Sequence, residues 1–195
     1  MQQNKIQFIS ESVEQKVNSA LTLAFSTCPL LRWIYPEPDQ YILQFPNFVK
    51  HYCGEAYLCG SGAFVENGTK GALLWQREDE HVDFNELKSF LTGSATEHRR
   101  DDVIRLFEKF NDYHPTGPYW YMTVIGTDPA FQRQGVGSDL LQYWLRLCDQ
   151  KQMTTYCEAT SLPAVRLYER MGWTVLDSVS MADSPAFYPM IRHPK

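Results

Sequence analysis

No stretch of the chain pairs cysteines at short spacing. The five (Cys28, Cys53, Cys59, Cys148, Cys157) are odd in number, scattered, and form no C-x-x-C. A disulfide framework and a zinc site are therefore not expected, no metal is expected, and a reducing cytoplasm is the simplest compartment. Basic charge is also scarce. Lys and Arg number 18 against 23 Asp and Glu, a net charge of −5, so nucleic acid and anionic membrane both lack the cationic surface they need. The opening MQQNKIQFIS has neither the basic flank nor the apolar run of a secretion signal, and no apolar segment approaches the length of a membrane span. Internal repeats and low-complexity tracts are missing too. What remains is 195 residues, 44% apolar and 21% charged, the profile of one soluble domain with a full core and barely the length for two.

Periodicity supplies the organisation. KIQFI alternates as a first strand over Lys5 to Ile9, and after Ser10 the residues Val13, Val17, Leu21 and Ala24 share one face of a helix. Pro29 is expected to end that helix, and Pro46 to break the next helical stretch, YILQFPNFVKHYC. A hairpin follows, with Asn67-Gly68 as its turn. Helical spacing returns from Phe84 to Tyr113, and HPTGP ends it. The remaining order is strand (Tyr119–Thr127), glycine turn, helix (Ser138–Lys151), strand (Thr154–Ala159), helix (Pro163–Met171), strand (Trp173–Ser180), and a short last strand in AFYPMIR. Strands alternating with helices after a hairpin predict an α/β (α+β) domain, with a mixed, partly antiparallel central sheet flanked by helices.

The segment QRQGVG, Gln132 to Gly137, sits between a strand and a helix. The first N–H groups of a helix have no partner within it, and with the helix dipole they favour an anion such as phosphate. Gly135 and Gly137 remove the Cβ atoms that would keep a phosphate off the backbone. A bare turn with no ligand is one reading. A dinucleotide fold is a poor one, because the third glycine position of G-x-G-x-x-G is Leu140, and the Gly-Lys-Ser/Thr of a P-loop is absent.

A third reading rests on two motifs in register. DPAFQRQGVG resembles the Gln/Arg-x-x-Gly-x-Gly signature of the GNAT acetyltransferase superfamily, and SLPAVRLYERMGW resembles its second motif, A-x-x-L-Y-x-x-x-G-F, with Trp173 in place of Phe. The resemblance covers residues 119–182, and PLLRWIYPE and GALLW are similar to the puromycin-acetyltransferase-like branch. It implies a single 1–195 domain, with residues 1–118 on the acceptor side and 119–182 binding acetyl-CoA as co-substrate. Gln132, Arg133, Gln134, Gly135, Val136, Gly137 and Ser138 would hold the pyrophosphate. Ile125, Gly126 and Thr127 would pair with the pantetheine arm like an added strand, Gly126 providing a bulge that splays the strand. Ser161 would touch that arm or cap the helix at Pro163.

Tyr168 stands at the family's general-acid position, with a core aromatic as the alternative role. The N–H of Ile125 would meet the oxyanion. Tyr121 and Thr123 stand where relatives that use a base carry it, and neither is a base at neutral pH; His51, Glu55, His114, Glu158 and a water chain stay open. Trp33 and Tyr35, in a proline-bounded loop, are expected to wall the acceptor pocket, with Tyr121 and Thr123 on its far side. The implied activity is direct acetyl transfer to the primary amine of a small molecule, in a cytoplasmic monomer or homodimer without nucleic-acid or membrane partners. Acetylation of a peptide or protein, and a silent acetyl-CoA sensor, are the alternatives.

Overall fold

The computed structural model describes residues 4–65, 69–80 and 82–195. Seven strands join in one sheet: β1 (Ile6–Phe8), β2 (Gly62–Val65), β3 (Gly71–Gln76), β4 (Tyr119–Thr127), β5 (Thr154–Ala159), β6 (Thr174–Val175) and β7 (Tyr188–Arg192). They lie in the order β1-β2-β3-β4-β5-β7-β6, and every neighbouring pair is antiparallel except β4 with β5. The sheet is mixed, as the alternation of elements predicts. The α-helices are α1 (Glu14–Phe25), α2 (Pro29–Ile34), α3 (Pro38–Cys53), α4 (Ala56–Cys59), α5 (Phe84–Ser94), α6 (Arg100–Asn111), α7 (Val136–Gln150) and α8 (Leu162–Arg170). Among the described residues no helix is long and apolar enough to cross a membrane.

Helices cover both faces, so the central strands carry unbroken apolar runs. On β3, Ala72 and Leu74 enter a core shared with α1, α3, α5 and α6, whereas Leu73 and Trp75 enter a second core under α7 and α8. α7 seats Leu140, Leu141 and Trp144 with no exposure at all, each such burial contributing roughly 1.5–3 kcal/mol.

The prolines behave differently from expectation. Pro29 opens α2 at its first turn, where a missing N–H costs nothing. Pro46 lies inside α3 without ending it; the apolar face Tyr41, Phe45, Phe48, Val49 is buried and outweighs the one lost backbone bond. The stretch read as one helical run from Phe84 to Tyr113 is two helices, separated at Ala95 and Thr96. The strand expected at Trp173–Ser180 narrows to β6 and an isolated bridge of Val179 with Phe187, and AFYPMIR supplies β7, which inserts between β5 and β6. β2 and β3 pair antiparallel as a hairpin should. The Asn67-Gly68 turn lies outside the described residues.

Candidate active site

β4 and β5 pair only through Tyr119, Trp120 and Tyr121 against Thr154, Thr155 and Tyr156. β4 runs on to Thr127 and β5 to Ala159, so beyond Tyr121 they separate and leave one edge of β4 unpaired. On its other side β4 follows β3 with one interruption: Leu74 faces Val124 and Trp75 faces Met122, which leaves Thr123 as an extra residue. The bulge is therefore at Thr123, and the expectation of one at Gly126 is corrected. Gly126 serves a different need. A Cβ there would lie 2.8 Å from Ala24 Cβ and 3.0 Å from Leu21 Cδ2, so its absence lets α1 pack directly on the strand.

The free edge has a definite polarity. Asp128 donates its N–H to Lys70 O across the β3 side, and backbone groups alternate along an antiparallel strand. The N–H and C=O of Ile125 and Thr127 therefore face away from β3, into the gap left by β5. These are the groups that an extended amide chain would pair with.

The glycine turn leads into α7. Asp128 Oδ1 accepts from Ala130 N at 2.9 Å, Arg133 takes φ of 61° and Gly135 φ of 85°. Gly135 is the N-cap of α7, which has no side-chain cap, and the first internal bond is Asp139 N to Gly135 O. The N–H groups of Val136, Gly137 and Ser138 thus lack helical partners. Gln132 and Gly137 reach the cleft described below. Val136 buries its side chain in the core, Arg133 is exposed, and the Gln134 amide donates to Ala130 O at 3.3 Å.

Between the separated strands lies a cleft of about 510 Å³, bounded by the end of α1, by α2 and by the start of α8. It gathers Thr123, Ile125, Gly126, Thr127, Ser161 and Tyr168 from three parts of the sequence. Ser161 accepts from Ala164 N at 3.4 Å, so it caps α8 while also lining the cleft. Thr123 spends its hydroxyl proton on Leu74 O at 3.1 Å and Cys53 Sγ at 3.3 Å. Tyr168 is 6% exposed, packs on Trp173, and hydrogen-bonds no described residue. Burial, and to a smaller extent Cys157, pushes its hydroxyl pKa upward, so it stays protonated. Among the described residues, no three His, Cys, Asp or Glu side chains gather where they could hold a metal.

Two of the four base candidates meet. Glu158, on β5, lines the cleft with a side chain only 3% exposed. Its Oε2 accepts from the Tyr121 hydroxyl at 2.6 Å, and its Oε1 lies 3.4 Å from His114 Nε2 without making a hydrogen bond. The Tyr121 hydroxyl also contacts that of Tyr52, on the last turn of α3, and His114 Nδ1 is 2.6 Å from the Tyr119 hydroxyl. Burial and then Glu158 push the pKa of both Tyr52 and Tyr121 far upward, so both hydroxyls keep their protons. His51 instead stacks on Phe90, and Glu55 is an exposed residue at the start of α4. Tyr52 is missing from the sequence reading because nothing local distinguishes it from its aromatic neighbours. Glu158 carries a signal: the one charged residue of a strand that sits mostly inside the protein, where a charge is costly to bury.

Trp33 and Tyr35 do not line the cleft. The segment is helical, so Leu30, Leu31 and Ile34 face the cleft while the two rings turn into the core. Tyr35 is fully buried with its hydroxyl 3.0 Å from Ser94 Oγ, and burial pushes its pKa up to about 12. Trp33 donates its indole N–H to Asp183 at 2.9 Å.

The structure thus brings together a parting between parallel strands, a bare helix N-terminus and a tyrosine on the next helix. The sequence model of the Acetyltransferase (GNAT) family matches residues 64–173, more than half the chain. The chain belongs to the GNAT family and is an N-acetyltransferase, a family that uses acetyl-CoA as co-substrate. It is similar to a histone acetyltransferase HPA2 and related acetyltransferase from Corynebacterium glutamicum, at 23% identity and TM-score 0.69, covering 100% of this chain and 98% of that one. It is similar in fold to arylalkylamine N-acetyltransferase 2 of Aedes aegypti, at 10% identity and TM-score 0.71 with both chains fully covered. A polyamine N-acetyltransferase of Drosophila melanogaster gives 10% identity and TM-score 0.71, over 97% of this chain and 99% of that one.

Proposed function

We propose that the chain, as a single domain, transfers the acetyl group of acetyl-CoA to the primary amine of a small molecule, directly and within one ternary complex. The observation that carries this reading is the cleft in which the unpaired β4 edge, Tyr168 and the buried Glu158 carboxylate stand together. The residues fit the co-substrate: three free N–H groups open α7 beside glycines, and outward amides on β4 suit the pantetheine arm. Acetyl-CoA supplies the thioester that the amine attacks. Val136, Gly137 and Ser138 N–H groups hold the pyrophosphate. Ile125 N–H faces the developing oxyanion. Glu158 takes the amine proton, with His114 beside it, and the Tyr168 hydroxyl gives a proton to the leaving thiolate.

Small amines are favoured over peptides by the largely apolar walls of the cleft, and the names of the fold relatives include arylalkylamine, polyamine and agmatine acetyltransferases. Initial velocities measured with both substrates varied should give intersecting double-reciprocal lines. Parallel lines would refute direct transfer. Glu158→Gln should lower kcat by about a hundredfold without weakening acetyl-CoA binding; an unchanged kcat would remove Glu158 from the mechanism.

A further inference from the structure

β3 and β4 are antiparallel neighbours, yet residues 77–118 separate them in sequence, and most of that segment is α5 and α6. Beneath these helices lies a second chamber of about 350 Å³. Val82, Phe84, Leu87 and Pro118 give it an apolar wall, and Gln76, Arg77, Glu78, Glu80 and Asn111 line it as well, Glu78 and Asn111 being exposed. Tyr52, Phe107 and Phe110 line both this chamber and the cleft, so the two cavities stand back to back.

One cluster of polar groups stands where the cavities meet. There the Tyr52 hydroxyl, the Tyr121 hydroxyl and the Glu158 carboxylate are linked in series, with His114 alongside. A chamber with an apolar wall and a hydroxyl–carboxylate cluster at one end can orient a ligand by its polar end. The charges define that end. Glu80 is neutralised by Arg77 at 2.8 Å, whereas Glu78 accepts from the Trp120 indole N–H and pairs with no cation among the described residues. Glu158 Oε1 is buried without a hydrogen bond to any described residue. A buried carboxylate oxygen with no donor is costly, and an amine nitrogen supplies that donor. The volume is at the lower end for ligand sites, room for one ring and a short arm.

We infer that this chamber is the acceptor site, and that it takes the flat apolar body of a primary arylalkylamine, its nitrogen held at Glu158 and directed into the cleft. The inference rests on the cleft being the acetyl-transfer site. The acceptor then arrives from the α5–α6 side and acetyl-CoA from the α7 side, and the Tyr52–Tyr121 contact is the partition that the amine displaces.

The test uses 2-phenylethylamine, 2-(1-naphthyl)ethylamine and ethylamine with the full chain and two variants at partly exposed lining positions. Asn111→Trp narrows the chamber and should raise KM for 2-phenylethylamine about tenfold or more, with KM for acetyl-CoA and for ethylamine near wild type. Phe84→Ala widens it and should improve kcat/KM for the naphthyl amine relative to the phenyl one. Wild-type constants for all three amines in both variants would overturn the inference. Calorimetric titration of 2-phenylethylamine, without acetyl-CoA, separates its failure from that of the transfer reading. Binding lost in Asn111→Trp supports the chamber even if no acetyl transfer occurs. Equal binding, or no binding to wild type, contradicts it.

Discussion

At the scale of single residues, the proposed functional groups are those whose surroundings leave a chemical demand unmet. Tyr168 keeps its proton because burial disfavours the phenolate, and its hydroxyl bonds no described residue. Tyr168→Phe should leave the fold and acetyl-CoA binding intact and lower kcat by about a hundredfold where chemistry limits the rate; single-turnover rates decide it, and an unchanged rate makes the residue packing only. Asp149 shows a structural use of charge. Its carboxylate makes two bonds to Arg192, at 2.8 and 2.9 Å, and this pairing holds its pKa below the usual carboxylate value. A lowered folded pKa stabilises the protein above the unfolded value of about 3.9, and the contribution is lost as pH falls through the folded value. Arg192 is 3% exposed and Asp149 27%, so Asp149→Asn should cost roughly 2 kcal/mol at neutral pH, between exposed and fully buried pairs. It should also flatten the fall of stability below about pH 4. Urea unfolding across pH measures both effects.

Among the elements, glycines separate folding from binding. Gly126→Val would drive side-chain atoms into Ala24 and Leu21 of α1 and should cost about 1–3 kcal/mol by overpacking. A Cβ at Gly137 would meet only Thr127 Oγ1, at 3.4 Å, so Gly137→Leu should unfold near the wild-type temperature yet lose the stabilisation that acetyl-CoA gives. If both variants lose stability equally in the absence of ligand, the distinction fails. The sequence made β4 and β5 legible to the residue, because both are rich in aromatic, β-branched and threonine residues and are bounded by breaks in the helical pattern. The turn into α7 and the Tyr168 helix were legible through motif spacing. The Thr123 bulge was not, since it follows from the register of β3 against β4, and no glycine marks it. Trp33 and Tyr35 were misplaced because proline at a helix start and proline in a loop look alike in sequence. Glu158, His114 and Tyr52 come together from β5, the loop before β4 and α3, a meeting that no local pattern announces.

Across the whole molecule, the parting of β4 from β5 opens a cleft beside the bare start of α7, and the chamber under α5 and α6 stands behind it. Acetyl-CoA at about one hundred times its dissociation constant should therefore add roughly 2.7 kcal/mol to folding stability, seen as a rise in melting temperature. No rise at millimolar acetyl-CoA would contradict the cleft assignment. The most direct test of the account is free-thiol release from acetyl-CoA by the wild-type chain, with 2-phenylethylamine, a polyamine and a lysine-rich peptide compared at equal concentration. Thiol release that depends on the small amine and exceeds that with the peptide is the predicted result. Robust release with the peptide and none with either small amine would contradict it.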